Sequence, residues 1–390
     1  MSSHRATSAE INLKAFRSNL RIIKYLMGPD AATMAIVKAD AYGHGAAQCA
    51  RAALEEGVGY LGVGIIQEGI ELRESGITSP ILILGGIYPN EAEDLIKHNL
   101  STSLSTSALA NAISKQAKRA GLKVGVHIKV DTGMARLGVK PENFECLLAD
   151  VMNYKNIKIE GVFTHLACAD DENPKVTRDQ ISRFSEILKE LHGTNLSEPN
   201  SSNENLFIHS ANTAGLLRFP ESKFNMVRPG ISLYGCLPSP FLKPIFDALA
   251  DAKGVAKLCP VMRWKTKVIQ IQQLRKGTPV SYGGRYVTTR DSIIATLPVG
   301  YADGLSRRLS NNMEFLVKGK RVKQVGAICM DICLIDITDT PDVVVGEEVV
   351  IFGNQGKGQI RVEELAAQAE TIPYEILCGV GKRVPRIYNS

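Results

Sequence analysis

The chain has 390 residues, 44% of them hydrophobic and 22% charged, with 46 Lys plus Arg against 40 Asp plus Glu. That length exceeds what one compact core usually holds, so two domains are expected, and the composition is that of an ordinary globular protein. The net charge of +6 is scattered, and the densest basic stretch, Gly381 to Arg386, lacks interleaved aromatics, which argues against a nucleic-acid surface.

Residues 1–12 contain no apolar stretch of signal-peptide length, and no later segment reaches about 18 apolar residues. Neither export nor a membrane span is therefore expected, and the chain reads as cytoplasmic. In that reducing compartment the eight cysteines read as free thiols. No CxxC pair occurs, and Cys329 and Cys333 have no His or Cys cluster near them in sequence, so no metal site is expected.

Up to residue 235, short apolar runs alternate with amphipathic segments of about ten to fifteen residues, the rhythm of βα units on a parallel sheet. The runs fall at 33–37, 60–65, 80–84, 101–104, 124–130, 159–164, 206–209 and 224–227. Helical patterns lie between them, at 46–56, 91–97, 108–120, 143–153 and 177–191, and Gly57, Gly76 and Gly121 supply closing glycines. Eight such runs predict an α/β architecture, a closed (β/α)8 TIM-like barrel over residues 1–240. A doubly wound open sheet is the alternative. Its glycine-rich first turn is incomplete here, because Gln67 follows Gly62 and Gly64 where a third glycine belongs.

From Pro238 the texture changes. Prolines cluster at Pro238, Pro240 and Pro244, then alternating runs at 267–272, 292–297, 314–317 and 349–352 follow without intervening helices. Residues 241–390 are therefore expected to form a C-terminal β-rich domain with one late helix at 362–369. The polar segment 193–205 reads as a solvated loop.

In a barrel, chemistry gathers at the carboxyl ends of the strands. Lys38 follows the first run, the string Asp131 to Arg136 follows the fifth, His165 ends the sixth, Ser210 the seventh, and Arg228-Pro229-Gly230 follows the eighth. Any one alone is more often a solvated cap or a satisfied core residue; five polar groups at one end are not. A strand-end lysine among small residues can form a Schiff base if burial keeps its amine partly neutral. Ser210 and the amides around Gly230 and Ile231 follow strands seven and eight, where barrels commonly bind phosphate, and a glycine lets backbone approach an anion closely. Together these suggest a phosphorylated aldehyde cofactor.

The string AIVKADAYGHG at 35–45 resembles the cofactor-lysine signature of the alanine racemases. The similarity continues in order through HIKVDTGMARLG (127–138), THLACAD (164–170), HSANTA (209–214) and VRPGISLYG (227–235). In the second half it runs through PVSYGGRY (279–286), PVGYADG (298–304), GAICMD (326–331) and PYEILC (373–378). This resemblance implies a racemase, dependent on pyridoxal 5'-phosphate, that interconverts L- and D-alanine by a two-base mechanism and supplies D-alanine for peptidoglycan. It implies that Lys38 holds the cofactor and serves as the base on the face of D-alanine. Tyr282 would be the opposed base, acting on L-alanine through a hydrogen-bonded chain that includes His165 and Arg228.

By the same resemblance Arg228 faces the pyridine nitrogen, donating a hydrogen bond without giving up its proton. Arg136 would contact the cofactor's phenolic oxygen and the substrate, with Lys129, carbamylated in some relatives, as its neighbour. Tyr42, Tyr374, Ser210, Gly230 and Ile231 would receive the phosphate. Met330, with Asp331 beside it, would meet the substrate carboxylate through a main-chain amide. A homodimer with shared active sites is implied, Tyr282 and Met330 coming from the partner. Two residues depart from the family pattern: Ala135, where glycine is commoner, and Arg285, close behind Tyr282. Other readings weighed are a racemase of wider taste acting on serine, lysine or arginine, a barrel-type decarboxylase of basic amino acids, and a single-barrel cofactor carrier. The decarboxylase lacks its glycine run here, and the carrier leaves some 150 residues unexplained.

Overall fold

Residues 5–189, 191 and 206–389 are described in this computed structural model, so the loop expected at 193–205 lies outside the described residues. The chain opens with β1 (Ser8–Asn12) and α1 (Leu13–Met27), neither of which the periodicity singles out. Asn12 caps α1 by accepting from Ala15 N at 2.9 Å, and Leu13, Phe16, Leu20 and Ile23 are buried along one face at the spacing of a helix stripe.

The βα rhythm then appears as expected. Strands β2 (Ala32–Ile36), β3 (Tyr60–Val63), β4 (Ile81–Ile83), β5 (Ser101–Leu104), β6 (Val124–Lys129), β7 (Ile157–Phe163), β8 (Phe207–His209) and β9 (Met226–Val227) are all parallel, in the order β8-β7-β6-β5-β4-β3-β2-β9. The intervening helices are α2 (Lys38–Gly43), α3 (Ala46–Glu55), α4 (Ile66–Glu74), α5 (Ala92–Lys97), α6 (Ser107–Ala120), α7 (Phe144–Met152), α8 (Lys175–Lys189) and α9 (Thr213–Arg218). Between β8 and β9 no ladder forms. Asn225 spans that gap instead: its amide donates to Ile208 O (3.3 Å), its Oδ1 accepts from Ile208 N (2.6 Å) and its Nδ2 donates to Leu206 O (2.8 Å). The eight strands thus make a nearly closed barrel.

Helix α10 (Leu242–Lys253) packs on this barrel, Phe246 and Ala250 clustering with Ile22 and Leu26 of α1 and Leu217 of α9. The β-rich remainder has β10 (Met262–Lys267), β11 (Gln270–Leu274), β12 (Pro279–Val280), β13 (Tyr286–Val287), β14 (Ser292–Leu297), β15 (Glu314–Val317), β16 (Lys320–Lys323), β17 (Cys333–Asp336), β18 (Glu348–Gln355) and β19 (Gly358–Ile360). Helices α11 (Val362–Gln368) and α12 (Pro373–Gly379) and strand β20 (Arg386–Asn389) complete it. One sheet runs β16-β15-β18-β10-β1-β20 with β19 on β18; a second runs β11-β14-β17.

The run expected at 267–272 is not one strand. Val268 N bonds to Glu347 O (3.0 Å) while Ile269 N bonds to Thr296 O (2.9 Å), so the chain leaves one sheet and enters the other between these residues. The opening strand also lies away from the barrel ladder: β1 pairs antiparallel with β10 and parallel with β20. Buried Trp264 of β10 and Tyr234, which follows β9, belong to one continuous hydrophobic core.

Candidate active site

Lys38 leaves the end of β2 into a turn of unusual hand. Ala39, Asp40, Ala41 and Tyr42 carry φ of 52, 51, 53 and 53°, a run of left-handed residues none of which is glycine. Each costs about 1–2 kcal/mol for an L-residue, so the surroundings must hold the turn. They do. Ala39 N donates to Glu68 Oε1 (2.6 Å), Ala46 N to Asp40 Oδ1 (2.7 Å), and His44 Nδ1, facing the carbonyls of Ala41 and Tyr42, is the donor to both. Arg386 of β20 donates through Nε to Gly43 O (2.9 Å). Gly43 sits at φ +79°, and a Cβ there would lie 2.4 Å from Leu377 O, so α12 can close on this turn only over a glycine. The result aims Lys38 and Tyr42 into one cavity.

That cavity has a volume of about 310 Å³ at the carboxyl end of the strands. It is lined by Lys38, Tyr42, Lys129, Arg136, His165, Asn212, Thr213, Arg228, Gly230 and Tyr374, among others. Tyr42 is buried among Tyr234 and Tyr374, with ring centroids 4.8 and 5.7 Å away. Its hydroxyl approaches Gly230 so closely that a Cβ there would stand 2.6 Å from the oxygen. A larger cavity, about 560 Å³, opens at the amino-terminal end of the barrel and contains none of the residues singled out by sequence.

Arg228 is buried and held on three sides. Nη1 donates to His209 Nδ1 (2.6 Å), and Nη2 faces Thr164 O (2.9 Å), Ser210 O (3.0 Å) and His165 Nδ1 (3.3 Å). Burial pulls its pKa down to about 9, still high enough to keep the guanidinium charged at neutral pH. Its Nε–H has no acceptor among the described residues, so a ring nitrogen placed in the cavity finds a donor waiting. Burial, then the Arg228 charge, hold His165 well below the ordinary imidazole value.

The cavity is rich in unpaired cations. No ion pair among the described residues involves Lys38, Lys129, Arg136 or Arg228. The Lys38 side chain is open to solvent in one chain, yet crowding by protein and then the charge of Arg136 lower its amine, with Glu68 acting in the opposite sense. Lys129 is more enclosed, its amine over the Phe163 ring at 5.4 Å. Burial, then Arg136 and Arg228, push it down to about 8. Asp131 does not pair with these cations. Its Oδ1 caps the loop by accepting from Gly133, Met134 and Ala135 N at 2.9–3.1 Å. Burial alone would raise that carboxyl; the amide donors outweigh it and hold it low.

An amine at one end, a hydroxyl cluster of Tyr42, Thr213 and Tyr374 at the other, and a buried fixed donor between them fit pyridoxal phosphate in its aldehyde, phosphate and ring nitrogen.

Not every expected residue arrives here. Ser210 is buried facing away, its hydroxyl donating to Ser222 O (2.8 Å), and it does not line the cavity. Thr213, three residues on, does, with its Oγ1 accepting from Gly230 N at 3.2 Å. Strand parity carries the signal: His209 ends β8 pointing into the barrel, so Ser210 must point out. Ile231 is buried behind Gly230 and likewise does not line the cavity.

Tyr282 and Met330 are absent from the cavity. Tyr282 is 74% exposed and Met330 53% exposed, both on the β-rich part of the chain. Ser281 (φ +63°) and Gly283 (φ +72°) turn the backbone sharply around Tyr282, and Ser281 Oγ anchors that turn on Ala327 O (2.7 Å). Met330 O accepts from Ala302 N (3.0 Å), and Asp331 is paired with Arg383 at 2.6 Å. Arg285 is exposed, and Ala135 adopts φ +55°, the conformation that makes glycine commoner there.

Comparison with known proteins agrees along the whole chain. Residues 11–238 match the family model described as alanine racemase, N-terminal domain, and residues 261–388 the alanine racemase, C-terminal domain. The chain is 41% identical to an alanine racemase of Halothermothrix orenii over 386 residues, covering 99% of this chain and 97% of that one. It is 42% identical to one of Symbiobacterium thermophilum over 389 residues, covering 99% and 98%. Among solved structures it superposes on an alanine racemase of Clostridium difficile 630 with a TM-score of 0.90 at 37% identity, covering 100% of this chain and 97% of that one. The Bacillus anthracis alanine racemase with bound L-Ala-P matches with a TM-score of 0.90 at 34% identity, covering 100% and 96%.

Proposed function

This chain belongs to the alanine racemase family, pyridoxal-phosphate-dependent enzymes that interconvert L- and D-alanine, and from that premise we propose that Lys38 and Tyr282 of two different subunits are its opposed bases. The carrying observation is the separation within one chain: Lys38 lines a cavity built for the cofactor, while Tyr282 stands exposed on a braced turn outside it. A second copy, packed head to tail, brings Tyr282 and Met330 over the mouth.

Bound pyridoxal phosphate supplies an electron sink that makes the substrate's α-proton removable. The chain's own groups do the rest. Lys38 Nζ removes the α-proton of D-alanine on one face, its affinity for protons lowered by burial and then by the Arg136 charge. The Tyr282 oxygen removes that of L-alanine on the other, and inversion follows because the proton taken by one base is replaced by one that the opposed base delivers from the other face. Arg228 donates a hydrogen bond through Nε without surrendering a proton. Tyr42, Thr213 and Tyr374 hold the phosphate, Arg136 steadies the phenolic oxygen and the substrate, and the free amide of Met330 takes the carboxylate. Lys129 carries a carbamate: an amine held down to about 8 among cations is nucleophilic toward carbon dioxide, and the anion formed, with release of one proton, gives Arg136 the partner it lacks.

The enzyme works as a cytoplasmic homodimer feeding D-alanine to peptidoglycan. No described helix is long and apolar enough to cross a membrane. The test is a racemisation assay on L-alanine, L-serine, L-lysine and L-arginine with added pyridoxal phosphate. Turnover confined largely to alanine, with a yellow protein that loses its colour on Lys38→Ala, is expected. Comparable rates on all four amino acids, or colour that survives the substitution, would overturn the assignment.

A further inference from the structure

Beneath Arg228, polar side chains fill the barrel axis where apolar layers are usual. His209 Nε2 lies 2.9 Å from His127 Nδ1; His127 Nε2 lies 3.3 Å from the Tyr60 hydroxyl; and Tyr60 Oη lies 3.0 Å from Glu160 Oε2, which Ser101 Oγ also meets at 2.8 Å. With Arg228 Nη1 on His209 Nδ1 at 2.6 Å, these groups join the catalytic cavity to the 560 Å³ cavity at the opposite end, whose wall Tyr60, Ser101 and Glu160 help form. The column is accommodated by two glycines. A Cβ at Gly161 would stand 2.4 Å from His127 Nδ1, and one at Gly125 would stand 2.1 Å from Glu160 Oε2.

Both ends of this column have fixed polarity. A guanidinium can only donate, so His209 Nδ1 accepts and its proton is on Nε2. That proton is donated to His127 Nδ1, which places the proton of His127 on Nε2 as well. His127 Nε2–H donates to the Tyr60 oxygen, and Tyr60 O–H donates to Glu160, a carboxylate that can only accept. Five groups therefore align in a single direction from cation to anion, with both imidazoles neutral and in the same tautomer. A reversed tautomer at either histidine would set two donors against each other in a buried site.

We propose that Tyr60, Glu160, His127 and His209 are positioning residues for the racemase reaction: their one-way hydrogen-bonded column fixes the Arg228 guanidinium so that Nη1 points down the barrel axis and Nε faces the cofactor. Glu160 sits at the far end of the barrel from the reacting atoms and acts on them only through this column. The proposal rests on the reading of Arg228 as the group facing the ring nitrogen.

Histidine-selective 15N NMR of the holoenzyme tests the column directly. Wild type is expected to show His127 and His209 neutral and protonated at Nε2. Tyr60→Phe keeps the ring and removes the link; it is expected to shift the His127 Nε2–H resonance, speed its exchange with solvent and lower kcat about 3- to 10-fold with KM for alanine changed less than about 2-fold. Glu160→Gln, whose amide oxygen still accepts from Tyr60, is expected to retain both signatures and most of kcat, whereas Glu160→Leu should reproduce Tyr60→Phe. An Nδ1-protonated His127 or His209 in wild type overturns the proposal, and this reading needs no variant to fold. So does a Tyr60→Phe enzyme with unchanged histidine signals and unchanged kcat. The underlying reading of Arg228 fails separately: Arg228→Ala turning over alanine at the wild-type rate would remove it, and the proposal with it, even with both tautomers as expected.

Discussion

At the mouth of the barrel the groups singled out are braced by hydrogen-bonded partners; on the face carrying Tyr282 and Met330 they stand in the open. Arg228 is held by four acceptors and Lys38 is aimed by a turn clamped from Glu68, Asp40 and Arg386, whereas Tyr282 offers its ring to solvent from a turn anchored only behind it. The contrast is the one that the proposed two-subunit site requires, in which one chain builds the cofactor's cradle and another copy supplies the opposing base.

The comparison breaks most decisively by mixing two dead chains. Lys38→Ala and Tyr282→Ala are each expected to lose activity on the order of 10²- to 10⁴-fold. Co-expressed in equal amounts, they should regain about a quarter of wild-type activity, since half of random dimers are mixed and each mixed dimer has one intact site. No recovery at all would mean that each chain builds its site alone.

A smaller effect separates lining from backing within the cradle. Thr213→Val should weaken pyridoxal phosphate binding about 5- to 30-fold, by removing a hydroxyl that faces the cavity. Ser210→Ala should leave that affinity unchanged and cost only folding stability. Cofactor titration decides, and equal losses in both would show that the cavity wall is misassigned.

Acid should distinguish the two regions next. The barrel buries His44, His127 and His209 with proton affinities held down by burial, His44 to about 4 and His127 to about 3, and residues 241–390 contain no histidine. Unfolding lets each bury-held imidazole take up a proton, so the barrel loses stability as pH falls below the free value of ~6.5, by up to ~1.4 kcal/mol per pH unit per histidine, until the folded values are reached. The sheet of the second region depends instead on Glu10 and Glu348 against Arg263 and Lys265. Burial works against those carboxylates, the cations more than offset it, and their contribution should fade only below about pH 4.5. Thermal melts from pH 7 to 5 should show the barrel weakening first; a flat midpoint across that range would contradict this. The smallest change is Ala135→Gly, which relieves a left-handed alanine and should stabilise by about 0.5–1 kcal/mol, readable as a small rise in melting temperature.

Much of this was legible in the residues. Seven of the eight expected barrel runs overlap their strands closely because each strand is a local apolar stretch followed by its own helix, and Lys38, His165 and Arg228 meet because barrel strands all end at one mouth. What failed was non-local or depended on direction. The opening strand finds partners at residues 262–265 and 386–389, which no window of sequence can see. Ser210 suits a phosphate by residue type and position, but strand parity turns it away from the barrel, and Thr213 lines the cavity instead. The same parity places His127 beside Lys129, two positions apart on one face of β6, and so would have revealed the polar axis. The left-handed turn at Ala39–Tyr42 has no signature, since alanine and tyrosine avoid that conformation and adopt it here only under tertiary constraint.

The placement of β1 between β10 and β20 sets an order on biosynthesis. Residues 8–12 leave the ribosome before either neighbour, so β1 stays unpaired until residues 262–265 arrive and keeps one edge of bare amide and carbonyl groups until residues 386–389 follow. Arrival of residues 386–389 then becomes the step that seals the sheet, and removing them should leave a sticky border prone to aggregation.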